Sequence, residues 1–247
     1  MCESPNNYQN ISSCVTPSGV SLQAGESHSC SCDPGECGRS PNTCSCLKGY
    51  PPAYDDDGVL LPFKLSPEAP PIYECNSWCA CGADCKTRGT QRGDHPALQV
   101  YQTDKKGYGV RTTRDLLKGE FVCEYVGELI PLSNAKNKLS TLPPADPCFV
   151  LIYKEHFGTV KTLCTCIDAT VKGNTARFIN HSCDPNLVML PVRSDSIVPR
   201  LCLFTLRAVT MGTELCFSYG DTLAGSGKPC YCGSETCKGY LPYEPDM

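Results

Sequence analysis

No stretch of this chain approaches the roughly 18 apolar residues that a membrane-spanning helix needs, which excludes such a helix within it. The N-terminus, Met1 to Val20, has no basic start followed by an apolar run, so no secretory leader is expected. A basic stripe and a basic localisation run are missing too, and the net charge is −4. DNA phosphate is gripped mainly by Lys and Arg, so this balance disfavours a DNA-binding zinc protein and favours basic peptides as partners. No internal repeat is evident, and helical periodicity is scarce.

Cysteine, by contrast, is abundant: 21 in 247 residues. A secreted disulfide scaffold would use cysteine this heavily, but the odd count strands one thiol and no leader is visible. A reducing compartment, cytosol or nucleus, is the better expectation. Hydrophobic content of 40% and charged content of 19% allow a packed core.

The cysteines cluster. Cys30, Cys32, Cys37, Cys44 and Cys46 form one group, and Cys75, Cys79, Cys81 and Cys85 a second. Thiolates this close in sequence point to zinc. Three tetrahedral zincs need twelve coordination places, which nine sulfurs supply only if three of them bridge. Two ordinary four-cysteine sites with one cysteine left over is the other arrangement. In either case metal would supply folding energy to a segment too polar to build a core. A later trio, Cys230, Cys232 and Cys237, is one ligand short, and Cys183 is the expected fourth. Cys2, Cys14, Cys123, Cys148, Cys164, Cys166, Cys202 and Cys216 are read as structural or free.

Residues Met1 to Ser29 are polar and aperiodic and read as a loose arm. Pro51 to Pro71, with Asp55-Asp56-Asp57, reads as a solvated linker between the cysteine groups. From Leu98 onward, short runs rich in β-formers predict strands at Leu98–Tyr101, Gly109–Thr112, Phe121–Ile130, Val150–Tyr153, Cys164–Asp168 and Arg200–Leu206. Phe121, Cys123 and Tyr125 alternate with Val122, Glu124 and Val126 at the strand period. Ser133–Leu142 is the best helix, stopped by Pro143-Pro144, and Asn174–Asn180 a short helical turn. The fold class expected is mainly β, built of small sheets.

Four motifs occur in order: Gly107-Tyr108-Gly109-Val110-Arg111, Glu124-Tyr125-Val126-Gly127-Glu128, the run Arg177 to Asn186 with Asn180-His181-Ser182-Cys183 at its centre, and Glu214-Leu215-Cys216-Phe217-Ser218-Tyr219-Gly220. With the cysteine groups, this order resembles the SET-domain histone-lysine N-methyltransferases from about Cys30 onward. Val188 to Arg193 and Gly239-Tyr240-Leu241-Pro242 are most similar to the members fused to a mariner transposase. The resemblance implies a SET fold of small sheets with a pseudoknot, in which Asn180-His181 and Phe217–Tyr219 cross near the active site. It also implies four parts: an N-terminal arm over 1–27, a pre-SET zinc-cluster domain over 28–97, a SET catalytic domain over 98–222 and a post-SET zinc loop and tail over 223–247.

The implied activity is methyl transfer from S-adenosylmethionine to a lysine of histone H3, in the nucleus, on chromatin. Lysine 36 and lysine 9 are the leading acceptors and lysine 4 a third. The implied catalytic residues are Tyr219, Tyr125, His181 and Phe217. Lys106, Gly107, Tyr108, Phe149, Asn180 and His181 would bind the cofactor. Phe217 stands at the family's Phe/Tyr switch, which implies di- or trimethylation. Three zincs in the pre-SET group and one behind Cys183 complete the cofactors. Two departures stand out. Ser218 replaces the usual acidic residue, and Phe149 replaces a tyrosine, removing a hydrogen bond worth about 1 kcal/mol. The alternative class is a SET-like chromatin interaction module with weak or no catalysis.

Overall fold

The computed structural model describes residues 8–17, 29–33, 36–38, 44–66, 69–92, 97–143, 146–157, 161–220 and 228–242. Among these residues are thirteen short strands: β1 (Gln9–Asn10), β2 (Ile72–Tyr73), β3 (Leu98–Gln102), β4 (Tyr108–Thr112), β5 (Phe121–Tyr125), β6 (Glu128–Leu129), β7 (Val150–Phe157), β8 (Lys161–Asp168), β9 (Lys172–Gly173), β10 (Asn180–His181), β11 (Leu187–Arg193), β12 (Arg200–Thr205) and β13 (Cys216–Phe217). The α-helix α1 (Leu132–Thr141) joins β6 to β7, one residue earlier than expected. No described helix is long and apolar enough to cross a membrane. The mainly β expectation holds.

The main sheet runs β10-β13-β11-β12-β5, with β2 added on β11, and three smaller sheets pair β1-β9, β3-β4 and β6-β8-β7. The strand β11 was not anticipated, because Pro191 sits in its middle. It is tolerated there because β11 meets β13 only at Leu187 and β2 only from Val192 onward. Between those points only β12 flanks it, and proline is accepted on such an edge.

The alternation in β5 predicts one buried face, but both faces are covered. A bulge pairs Leu203 with Cys123 and Phe204 with Phe121, skipping Val122. A bulge resets the alternation. Phe121 therefore joins a core with Tyr54, Leu60, Val192 and Phe204, while Val122 and Tyr125 enter a larger one with Ile179, Leu201, Leu203, Leu215 and Phe217.

Two expectations of looseness are corrected. Residues 8–17 are not a free arm. β1 pairs in parallel with β9, Val15 donates its N–H to the Gly127 carbonyl, and the Cys14 thiol donates to the Tyr125 carbonyl at 3.9 Å. Neither is Pro51–Pro71 a solvated linker. Ala53, Tyr54 and Leu60 are buried, and Asp55 turns the chain by accepting the N–H groups of Asp57 and Val59. Scattered apolar residues between acids and prolines hide the pattern, since no single period describes them. Lys64, only 1% exposed, caps this segment by donating to the Pro70 and Pro71 carbonyls.

The cysteine segment has its own small core of Cys30, Cys37, Cys44, Cys46, Cys75, Cys81 and Cys85 around Leu47. An interior made of thiols rather than methyl groups is what a metal-stapled module shows.

Candidate active site and metal centres

The Asn174 side chain accepts the Ala176 N–H and so starts the 3-10 turn Thr175–Phe178. That turn delivers Asn180 and His181 into β10, which pairs in parallel with Cys216 and Phe217 of β13. Two segments carrying separate motifs are thereby locked side by side in the larger core.

Around that pair the residues converge. His181 is buried, and its Nδ1 accepts the Tyr219 N–H at 3.2 Å. Nδ1 being the acceptor, Nε2 carries the proton and faces Cys183 Sγ at 3.4 Å. Burial, with Lys238 nearby, pushes the His181 pKa down to about 4, so the ring is neutral. The Tyr219 hydroxyl donates to the Ile179 carbonyl at 2.8 Å, although 45% of the residue is exposed. Its hydroxyl end is inside while the ring keeps an open face. Phe217 is buried 4.9 Å from the Tyr219 ring, centroid to centroid. Tyr125 donates its hydroxyl to the Phe149 carbonyl at 3.0 Å. Burial raises the Tyr125 phenol well above its ordinary value, and Tyr219 adds to the effect. Both hydroxyls therefore stay protonated at neutral pH and act as hydrogen-bonding groups, not bases.

Lys106 and Gly107 end the turn from β3 into β4, and Tyr108 opens β4. Thr103 closes it, accepting the Lys106 N–H on its hydroxyl and donating its own N–H to the Gly107 carbonyl at 2.7 Å. Gly107 has φ +68°, which suits glycine, and a side chain there would meet nothing within 4 Å. Gly109 has no such room. A Cβ on it would lie 3.0 Å from Glu214 Oε1 and 3.3 Å from Asn180 Nδ2. Asn180 Nδ2 donates to the Tyr108 carbonyl and to Glu214 Oε1, each at 3.0 Å. The segment holding Lys106 to Tyr108 and the segment holding Asn180 thus meet. Together they form an open backbone turn and an amide oxygen, a setting that fits a polar nucleoside cofactor.

Phe149 packs edge-on against Phe178 at 6.1 Å, and the Arg177 guanidinium lies 3.8 Å over its ring. The same guanidinium lies 4.5 Å over the Tyr8 ring. Arg177 and Glu214 lie inside the quoted motifs, yet sequence reasoning gave them no role. An ionisable residue set among the apolar positions of each motif was the available signal. Tyr8 offered none. Ser218 is exposed and bonds locally with Gly220.

The thirteen cysteines expected to bind metal fall into groups of the right size. Cys183, Cys230, Cys232 and Cys237 place their sulfurs within 4.8 Å of one another. In the other module, four such groups occur: Cys30-Cys75-Cys79-Cys81, Cys30-Cys44-Cys46-Cys75, Cys30-Cys32-Cys37-Cys44 and Cys37-Cys75-Cys81-Cys85. No two of them are disjoint. Cys30 lies 3.6 Å from Cys37 and 3.7 Å from Cys75, and Cys75 lies 3.8 Å from Cys85. Zinc–sulfur bonds of about 2.3 Å in a tetrahedron put sulfurs about 3.8 Å apart, so the donor set fits zinc. Cys164 and Cys166 join none of the groups. Cys2 lies outside the described residues.

Residues 107–220 match the SET domain and residues 2–88 the Pre-SET motif. The histone-lysine N-methyltransferase SETMAR of Mus musculus is 39% identical over 222 residues, covering 84% of this chain and 72% of that protein. The crystal structure of the methyltransferase domain of human SETMAR superposes with a TM-score of 0.82 at 33% identity, over 98% of this chain and 91% of that one. Arabidopsis thaliana SUVH6 in complex with S-adenosylmethionine superposes with a TM-score of 0.81 at 28% identity, over 98% of this chain and 51% of that one. The chain belongs to the SET-domain histone-lysine N-methyltransferase family, with a Pre-SET motif ahead of the SET domain.

Proposed function

We propose that this protein transfers methyl groups from S-adenosylmethionine to a lysine of the histone H3 tail, in the nucleus and on the chromosome. Lysine 36 and lysine 9 are the leading acceptors, with lysine 4 third. The division 1–27, 28–97, 98–222 and 223–247 into arm, pre-SET, SET and post-SET parts belongs to this reading. The observation that carries it is the parallel pairing of Asn180-His181 with Cys216-Phe217, which gathers His181, Phe217 and Tyr219 beside Tyr125.

When bound, S-adenosylmethionine supplies an electrophilic methyl on a positively charged sulfur. The turn at Lys106, Gly107 and Tyr108, the Phe149 ring and the polar groups of Asn180 and His181 hold that cofactor. Lysine has an ordinary pKa of about 10.4, and an apolar surround disfavours its ammonium. Phe217 and the ring faces of Tyr125 and Tyr219 supply that surround. Their hydroxyls stay neutral and orient the amine along the line of displacement, so catalysis is chiefly alignment. Phe217 has no hydroxyl to order a water there, which leaves room for a second and third methyl.

Zinc is structural in this reading. The overlapping thiol groups support three zincs sharing bridging sulfurs in the pre-SET module, and the Cys183 group supports a fourth. That fourth site pins the C-terminal segment, through Lys238 N–H on Cys183 Sγ, beside His181. The test is intact-mass spectrometry of histone H3 and of nucleosomes after incubation with zinc-loaded protein and S-adenosylmethionine. Methyl-sized increments on one lysine are expected. Their absence, from protein that binds the cofactor, would sink the histone H3 reading and favour the interaction module or a non-histone substrate.

A further inference from the structure

Glu214 is the residue on which the two halves of the cofactor site lean. The peptide between Glu214 and Leu215 is held at both groups: Leu215 N–H donates to the Val110 carbonyl, and Asn186 Nδ2 donates to the Glu214 carbonyl at 2.8 Å. The Glu214 side chain lies under Gly109, the position where a Cβ would come to 3.0 Å of Oε1. The two carboxylate oxygens are divided between partners. Oε2 takes the Lys106 ammonium at 2.6 Å and Oε1 takes Asn180 Nδ2 at 3.0 Å. These partners come from chain segments 108 and 34 residues away. Tyr101 is drawn in as well, its phenol pushed up to about 12 by burial and then by Glu214.

The consequence falls on Asn180. An amide side chain has one donor end and one acceptor end. Both protein groups facing it, the Glu214 carboxylate and the Tyr108 carbonyl, are acceptors. The nitrogen must therefore point at them, and the oxygen must point the other way. We infer, resting on the methyltransferase reading, that Glu214 is the positioning residue of the cofactor site: its carboxylate fixes Asn180 with the amide oxygen outward and holds Lys106 against the turn. The face so presented accepts a hydrogen bond and suits an N–H or ammonium donor of the cofactor.

Glu214→Gln keeps the shape and removes the charge. The Gln oxygen then has two donors competing for it, Lys106 and Asn180, while its NH₂ meets whichever loses. The first measurement is hydrogen exchange of the Asn180 side-chain amide by NMR, without cofactor. Exchange at least tenfold faster in Glu214→Gln is expected, and an unchanged rate would overturn the inference. The second is steady-state kinetics. The KM for S-adenosylmethionine should rise about tenfold, the loss expected for one charge-assisted hydrogen bond, with kcat and the peptide KM within about twofold. Adding Lys106→Met removes the competition, so Lys106→Met/Glu214→Gln should bind cofactor as well as Lys106→Met alone. A merely structural ion pair would instead lower the melting temperature and impair peptide and cofactor alike, with no rescue, and that pattern also overturns the inference. Wild-type protein that fails to bind the cofactor would refute the methyltransferase reading, and the amide-exchange result would still decide the role of Glu214.

Discussion

The Tyr219 hydroxyl donates to the carbonyl of Ile179, 40 residues upstream, at 2.8 Å. This bond ties the end of the Phe217-Ser218-Tyr219 segment to the residue that enters Asn180-His181. It spends the phenol's proton on the protein and leaves the oxygen's lone pairs for an incoming amine.

Tyr219→Phe should therefore lower kcat at least ~100-fold, the usual effect of deleting one preorganised polar group at a reacting centre. The Ile179 carbonyl would lose its donor, a cost of about 1 kcal/mol, so the protein should stay folded. Methyl transfer measured beside a thermal melt checks both. Activity near that of wild type would remove Tyr219 from the mechanism.

Phe217→Tyr adds a hydroxyl at a buried position 4.9 Å from the Tyr219 ring. A water ordered there would crowd the amine after one transfer. Mass spectrometry of the modified H3 peptide should show the product shifting from di- and trimethyl to monomethyl. A wild-type product distribution would rule out Phe217 as the switch.

Cys75 belongs to three of the four overlapping sulfur groups and Cys79 to one. Cys75→Ser should accordingly release most pre-SET zinc and unfold that module, while Cys79→Ser should lose about one zinc at most. Metal content of the purified proteins is the readout. Equal losses would argue against bridging sulfurs.

Lys64 is buried against two proline carbonyls, and burial pushes its pKa down to about 8. The unfolded chain would bind its proton until about pH 10.4. Below pH 8 both states carry the proton and the full penalty of a buried ammonium is present. Between about pH 8 and pH 10.4 the unfolded state binds more protons, so stability attributable to this group rises with pH. Denaturant melts of wild type and Lys64→Met across that window should show wild type gaining relative to the variant. A constant difference would mean the ammonium is not desolvated.

Much of this was readable in one dimension because the physics is local. Ligand thiols crowd in sequence where they must crowd in space, as in Cys30-x-Cys32 and Cys79-x-Cys81. The helical turn expected over Asn174–Asn180 forms at Thr175–Phe178, held by an Asn174 cap whose donor and acceptor are two residues apart. Helix α1 fell within one residue of its expected place because Pro143 ends it.

Tertiary packing decided the rest. Whether nine thiols make separate or shared sites depends on sulfur positions, and here Cys30 and Cys75 stand in common to several groups. Burial of Lys64, the grip of residues 8–17 on Gly127 and Tyr125, and the bulge that turns Phe121 away from Tyr125 follow no periodicity. The polarity of Asn180 is the sharpest case. Asparagine alone is indifferent to which end of its amide faces a ligand, and only Tyr108 and Glu214, 72 positions before it and 34 after, leave the oxygen as the end that faces out.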